Sequence, residues 1–148
     1  MTATAELHAK DLSKEPPRSP HAQIGGYVLV GRILDKCRAV LAGTAGEYHF
    51  ACPLDQVFFD FAGIDPEGFK TFVATGADDE KVGAWVQEHS ERSEVEAKLW
   101  NLQMKSKRIV DLPPHIQLFL HDYVEQYVPA NKRVYVWFDV YDHEEGHI

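Results

Sequence analysis

Gly43-Thr-Ala-Gly-Glu-Tyr-His-Phe-Ala-Cys-Pro-Leu-Asp-Gln-Val-Phe-Phe-Asp60 places a helix stop, a turn, a short aromatic run and a new helix start in one segment. Gly43 stands where a left-handed C-terminal cap is expected, so what precedes it reads as helix. Cys52-Pro53 reads as the next start, because proline at the first helical position gives up a donor that has no intrahelical partner anyway. Asp55 then falls near the third position, against the positive end of the helix dipole. Phe58, Phe59, Phe61 and Ile64 are too apolar for an exposed helix, which makes this second helix central. A stop, a turn and a start so close together make the chain a succession of short helices.

Upstream of Gly43, the residues Ile33, Leu34, Cys37, Val40 and Leu41 recur at helical spacing, with Arg32, Asp35, Lys36 and Arg38 on the opposite side. The spacing predicts a first helix from Gly31, with Cys37 buried on its apolar face. Gly25-Gly26 punctuates the chain before it, and Tyr27–Val30 reads as a short strand or a first turn. Residues 1–23, with Pro16, Pro17 and Pro20, read as an extended Pro-rich arm, either a loose tail or an ordered segment that presents Arg18 to a pocket.

Downstream, Asp65-Pro66 starts a third helix that Gly76 ends, and the acidic turn Asp78-Asp79-Glu80 starts a fourth. Ser93 to Glu96 matches a capping box, so a fifth helix runs to about Lys107 with Val95, Leu99 and Leu102 on one face. Pro113-Pro114 opens a sixth, whose stripe of Ile116, Phe119, Leu120, Tyr123, Val124 and Tyr127 is the clearest in the chain. The last segment, Arg133 to Tyr141, is strand-like in composition but lacks a partner strand, so it reads as a final helix or a short strand. The expected fold is mainly α, a single-domain compact bundle of six or seven helices over residues 24–148, with the second and sixth forming much of the core.

Length and charge bound the function. At 148 residues the chain fits one domain. Fifteen basic against 23 acidic residues leave a net charge of −8, a field that repels phosphate backbones and anionic lipid, so neither nucleic acid nor membrane is expected as partner. No window reaches the roughly 18 apolar residues of a membrane helix, and residues 1–14 lack the apolar run of a secretory signal. Cys37 and Cys52 read as two free thiols of a cytoplasmic protein.

Cys52 is the sharpest chemical candidate, because a thiol at a helix N-terminus has its thiolate favoured by the dipole and by unpaired backbone N–H groups. His49, three residues earlier, could act as its base, with Asp55 assisting. Each also has a structural reading, as a packed cysteine and a hydrogen-bonded histidine. His143-Glu144-Glu145-Gly146-His147 matches the zinc-binding pattern H-E-x-x-H, but Gly146 interrupts it beside the end of the sequence, and the match is read as chance. No P-loop, dinucleotide fingerprint, nucleophile elbow or paired C-x-x-C occurs, so no cofactor is expected.

Pro16-Pro-Arg-Ser-Pro20, Gly25-Gly-Tyr27, Leu34-Asp-Lys36, Leu41-Ala-Gly43, Gly46-Glu-Tyr-His49 and Cys52-Pro-Leu-Asp55 occur in that order. In these strings the chain resembles the uncharacterised bacterial proteins grouped as domain of unknown function 5069. The resemblance implies a small, stand-alone, cytosolic protein and carries no activity, cofactor or catalytic residue with it. Two functions follow from the residues themselves. One is a non-enzymatic small-molecule-binding or interaction module in which Arg18, Arg32, Tyr48 and His49 border a pocket for a small, anionic ligand or a partner surface; apart from it, the aromatic C-terminal segment could provide an interface for a homo-oligomer. The other is a cysteine-dependent enzyme using Cys52 with His49.

Overall fold

The computed structural model describes residues 8–148; the first seven residues of the expected arm lie outside them. Among the described residues the chain forms seven α-helices: α1 (Val30–Ala42), α2 (Pro53–Ala62), α3 (Pro66–Val73), α4 (Asp79–His89), α5 (Glu94–Ser106), α6 (Pro114–Tyr127) and α7 (Trp137–Glu144), with a short 3-10 turn at Ile109–Asp111. The mainly α single domain read from the sequence is the fold, and the strand-like C-terminal segment is helical.

The expected punctuation works through the expected chemistry. Gly43 caps α1 in the left-handed region, and Pro53 and Pro66 occupy the first turns of α2 and α3. Asp78 accepts from Lys81 N to cap α4, and Ser93 and Glu96 exchange both bonds of a capping box at α5. Tyr27–Val30 is no strand: Ile24 and Tyr27 close a tight turn on each other. Helix α3 stops at Val73, three residues before Gly76.

The core is aromatic and centred on α2. Phe58 and Phe59 are buried, and Phe58 packs edge-on against Tyr27, while Phe59 does so against Phe69. Phe61 stacks on Trp100 of α5 at a centroid distance of 5.0 Å. Such ring pairs add about 0.5–1.5 kcal/mol each beyond the area they bury.

Three expectations about faces are corrected. Helix α1 has no solvent side, because Val30 to Ala39 are all buried, including Arg32, Asp35, Lys36 and Arg38. The arm, the 47–52 loop, the start of α4 and the end of α7 surround it. Val95, Leu99 and Leu102 of α5 are exposed, and the buried face is Ala97, Trp100, Asn101 and Met104. Helix α6 contributes Leu120 alone to the fully buried set, with Phe119 and Tyr127 exposed, so the sixth helix covers the core rather than forming it. Periodicity identifies a stripe, but the elements that arrive beside it decide whether the stripe is covered.

Two glycines let segments close on one another. Gly25, at φ 64, lies so near α4 that a Cβ would come 2.8 Å from Gly83 O, and Gly83 in turn has no side chain to hold the loop away. The 23–27 loop is therefore seated directly on α4.

Candidate functional site

Four charged residues of α1 each meet a countercharge from elsewhere in the chain. Lys36 Nζ lies 2.8 Å from Asp55 Oδ2 and donates to Cys52 Sγ at 3.3 Å. Asp35 accepts from the backbone and guanidinium of Arg18, and Lys10 lies 3.5 Å away. Arg38 donates to Asp79 and to Ala77 O. Arg32 makes a two-pronged pair with Glu145 at 2.5 and 2.8 Å, and Tyr48 donates to the same carboxylate at 2.8 Å.

The electrostatics of this interior follow from burial and pairing. Burial works against the Arg32 charge, but the Glu145 bonds more than offset it and hold the guanidinium protonated above its ordinary range. Burial, reinforced by Glu145, raises the Tyr48 phenol, and burial pushes the Tyr141 phenol up to about 12. Burial and the neighbouring charge of Glu145 raise the Glu144 carboxyl, although Tyr123 donates to it. At neutral pH these phenols are protonated, and Tyr48 is a donor to Glu145.

The sequence candidates separate into different places. Arg32, Tyr48, Cys52 and Asp55 join the buried charges around α1. Arg18 reaches them through Asp35 and lies also in a surface cleft beside Asp79. His49 is exposed and makes no hydrogen bond or ion pair with a described residue, so Cys52 meets an ammonium group rather than an imidazole. Helix α7 ends at Glu144, and Gly146 at φ 76 turns the chain, so His143 and His147 do not sit one helical turn apart. His147 instead bonds Pro17 O through Nε2. Among the described residues the one close set of three possible metal ligands is His121, Asp122 and Glu125, fully exposed on α6.

A wide concavity lies elsewhere. A groove of about 700 Å³ runs between the Gly25-Gly26 loop, the α4–α5 connection and one side of α5, and continues past Gln23 and Gln87 into a cleft of about 500 Å³ bordered by Arg18, Asp79 and Glu80. Asn101, buried at its floor, donates to Gly26 O and accepts from Val28 N, which fixes the loop against α5. Tyr27 and Ser90 share a hydrogen bond at the other wall. This wall presents Arg92 from the α4–α5 connection and Lys98 and Lys105 from α5. Arg92 and Lys98 are engaged by Glu96 and Glu94, whereas Lys105 makes no ion pair among the described residues.

Buried loop, double glycine and Cys-Pro helix start fall at the strings that carry the resemblance, and the match extends beyond them. The chain belongs to the DUF5069 family, described as a domain of unknown function. The family model covers residues 14–147, from the arm to the exit of α7, so α5 to α7 are as much part of the family's unit as the residues up to Asp55. No curated protein matches the chain. Among the described residues no helix is long and apolar enough to cross a membrane.

Sequence reasoning missed the partners and the groove. Glu145 is 113 residues from Arg32, and Asp79 is 61 from Arg18, separations over which no local spacing rule operates. One signal for the groove was present: two adjacent glycines at 25 and 26 next to Tyr27 mark a backbone that approaches another element closely.

Proposed function

We propose that this DUF5069 chain is a non-enzymatic, cytoplasmic small-molecule-binding module, and that the groove between the Gly25-Gly26 loop and α5 takes a small anionic ligand. The observation that carries the reading is the groove itself. Its volume of about 700 Å³ lies within the roughly 300–1,000 Å³ of small-molecule sites, and its floor is held in shape by the hydrogen bonds of Asn101 and Tyr27. The sign of the ligand follows from Arg92, Lys98 and Lys105 along one wall of a protein whose net charge is −8. A cation would be attracted to most of this surface; an anion is favoured on this wall, above all beside Lys105, which makes no ion pair among the described residues. Cytoplasmic residence accords with Cys37 and Cys52 both being free.

The test is a melting-temperature screen of the purified chain against inorganic phosphate, citrate, nucleoside monophosphates and acidic amino acids. A concentration-dependent rise is expected for at least one anion, and none when Gln87→Trp fills the groove from the exposed side of α4. Shifts that are equal in the wild-type chain and in Gln87→Trp would remove the groove as the site. The absence of any shift across the anions would overturn the reading.

A further inference from the structure

We propose that the outward face of α5 pairs with the same face of a second copy of this chain, antiparallel, about a two-fold axis passing near Leu99. The argument begins from helical geometry, at about 100° per residue. Ala97, Trp100, Asn101 and Met104 face the core, Glu94, Lys98 and Lys105 turn sideways onto the groove, and Val95, Leu99 and Leu102 point away from the core. The last three are 66%, 56% and 63% exposed, and their 4-then-3 spacing is the seam of a coiled coil. A helix needs one apolar face to join its own core. This one has a second.

The charges flanking the seam select the occupant. Glu94 precedes Leu99 by five residues and Lys105 follows it by six, both on the groove side. On the other flank Glu96 precedes it by three and Gln103 follows by four. An antiparallel two-fold keeps like flanks together, so Glu94 meets the second copy's Lys105 at both ends, and Glu96 meets Gln103, with a mismatch of about one residue, or about 1.5 Å. Lys98, the cation nearest the axis, is already held by Glu94 of its own helix at 3.2 Å. The same matching is lost in a parallel pair, where opposite flanks meet: Glu94 then faces the second copy's Glu96, acid against acid, and Lys105 faces Gln103. A foreign helix would need only the apolar seam; acid and base placed symmetrically about its centre are what a copy of the same helix requires.

The contact is small. Thirteen residues of helix extend about 20 Å, and such a pair buries less than the roughly 800 Å² per partner of a standard interface, so association in the micromolar range or weaker follows. Leu102 belongs to both the seam and the groove wall, so the second copy's helix lies along the groove's rim.

Sedimentation velocity of the full chain between about 10 µM and about 1 mM tests the pairing. A concentration-dependent shift from monomer to dimer is expected, and Leu99→Glu is expected to abolish it with the far-ultraviolet circular dichroism unchanged. Lys105→Glu should weaken dimerisation at least about threefold, and adding Glu94→Lys should restore it, because the reversed pair matches again. A monomer at every concentration, a dimer indifferent to Leu99→Glu, or a reversed pair that stays as weak as Lys105→Glu alone each overturns the proposal; the first leaves the seam to a different protein.

Discussion

Helices α1 and α5 are the same length, 13 residues each, and distribute polarity in opposite ways. Arg32, Asp35, Lys36 and Arg38 of α1 are each no more than 4% exposed, while three large aliphatic side chains of α5 are more than half exposed. The reason is the number of neighbours. The arm, α2, α4 and the residue after α7 reach α1 from different sides, and each brings a countercharge; α5 is met on its core side and along the groove. Removing an ion from water costs several kcal/mol, so the charges around α1 are tolerated only because each arrives with its partner. Burial there is a property of the surrounding chain, and the pairs fix which segments lie together more than they add net stability.

The largest test of that contrast is Lys36→Ala. It leaves the carboxylate of Asp55, which is fully buried, with the backbone N–H of Ala51 as its remaining donor. Loss of one member of a buried pair costs about 3–5 kcal/mol, to be read from urea unfolding. Combining Lys36→Met with Asp55→Leu should recover most of the loss, since both charges then leave the interior. A cost below about 1 kcal/mol for Lys36→Ala would mean that water reaches the pair and that α1 is not enclosed.

Thiol chemistry probes the same enclosure on the apolar side of α1. Burial pushes the Cys37 thiol up to about 12, whereas Cys52 at the start of α2 is half-buried. With an unperturbed thiol near 8.5, the reactive thiolate of Cys37 at neutral pH is reduced by about three orders of magnitude. Ellman's reagent should therefore titrate one thiol in the native chain and two in denaturant. Equal rates for Cys37 and Cys52 would contradict a closed α1.

How much of this was legible in the sequence follows the same line. Gly43, Pro53, Asp65-Pro66, Asp78 and Ser93 act within a turn of themselves, so their helix boundaries could be read from local chemistry. Cys37 and Phe58 lie on stripes whose burial was expected and found. Lys36 and Arg32 are legible as lying opposite the apolar face of α1, but not as buried, because Asp55 comes from another helix and Glu145 lies 113 residues away. Leu99 was legible as a stripe member, yet Trp100 beside it takes the core position, and nothing local to α5 ranks the two faces. The groove depends on three separate segments meeting, and of those the sequence marked only Gly25-Gly26.

Asp79 tests the surface end of the network through pH. Burial opposes its ionisation, but side-chain hydrogen bonds from Arg18 and then Arg38 prevail and hold the carboxyl below its ordinary value. A folded value below the unfolded one gives stability that is complete above about pH 4 and lost as pH falls through the folded value. Because the Asp79 side chain is 50% exposed, solvent screening limits the contribution to under about 1 kcal/mol. Asp79→Asn should lower the urea midpoint at neutral pH, and the gap to wild type should narrow as pH falls below the unfolded carboxyl's value of about 4. A gap that persists undiminished in acid would assign the loss to packing instead of charge.

The smallest effect is expected where the sequence looks most like core. Leu99→Lys replaces an aliphatic side chain that is 56% exposed and touches solvent on its outer side, so unfolding of the monomer should change by no more than about 0.5 kcal/mol. The measurement is made at submicromolar concentration, below the range in which two copies associate, so that loss of pairing does not enter the midpoint. The Leu99→Lys and Lys36→Ala results then bracket the comparison: a leucine exchanged for a charge at little cost, and a lysine whose removal unsettles the interior. If Leu99→Lys instead costs as much as Lys36→Ala, α5 is enclosed on both faces in the monomer, and the surface offered to a second copy does not exist.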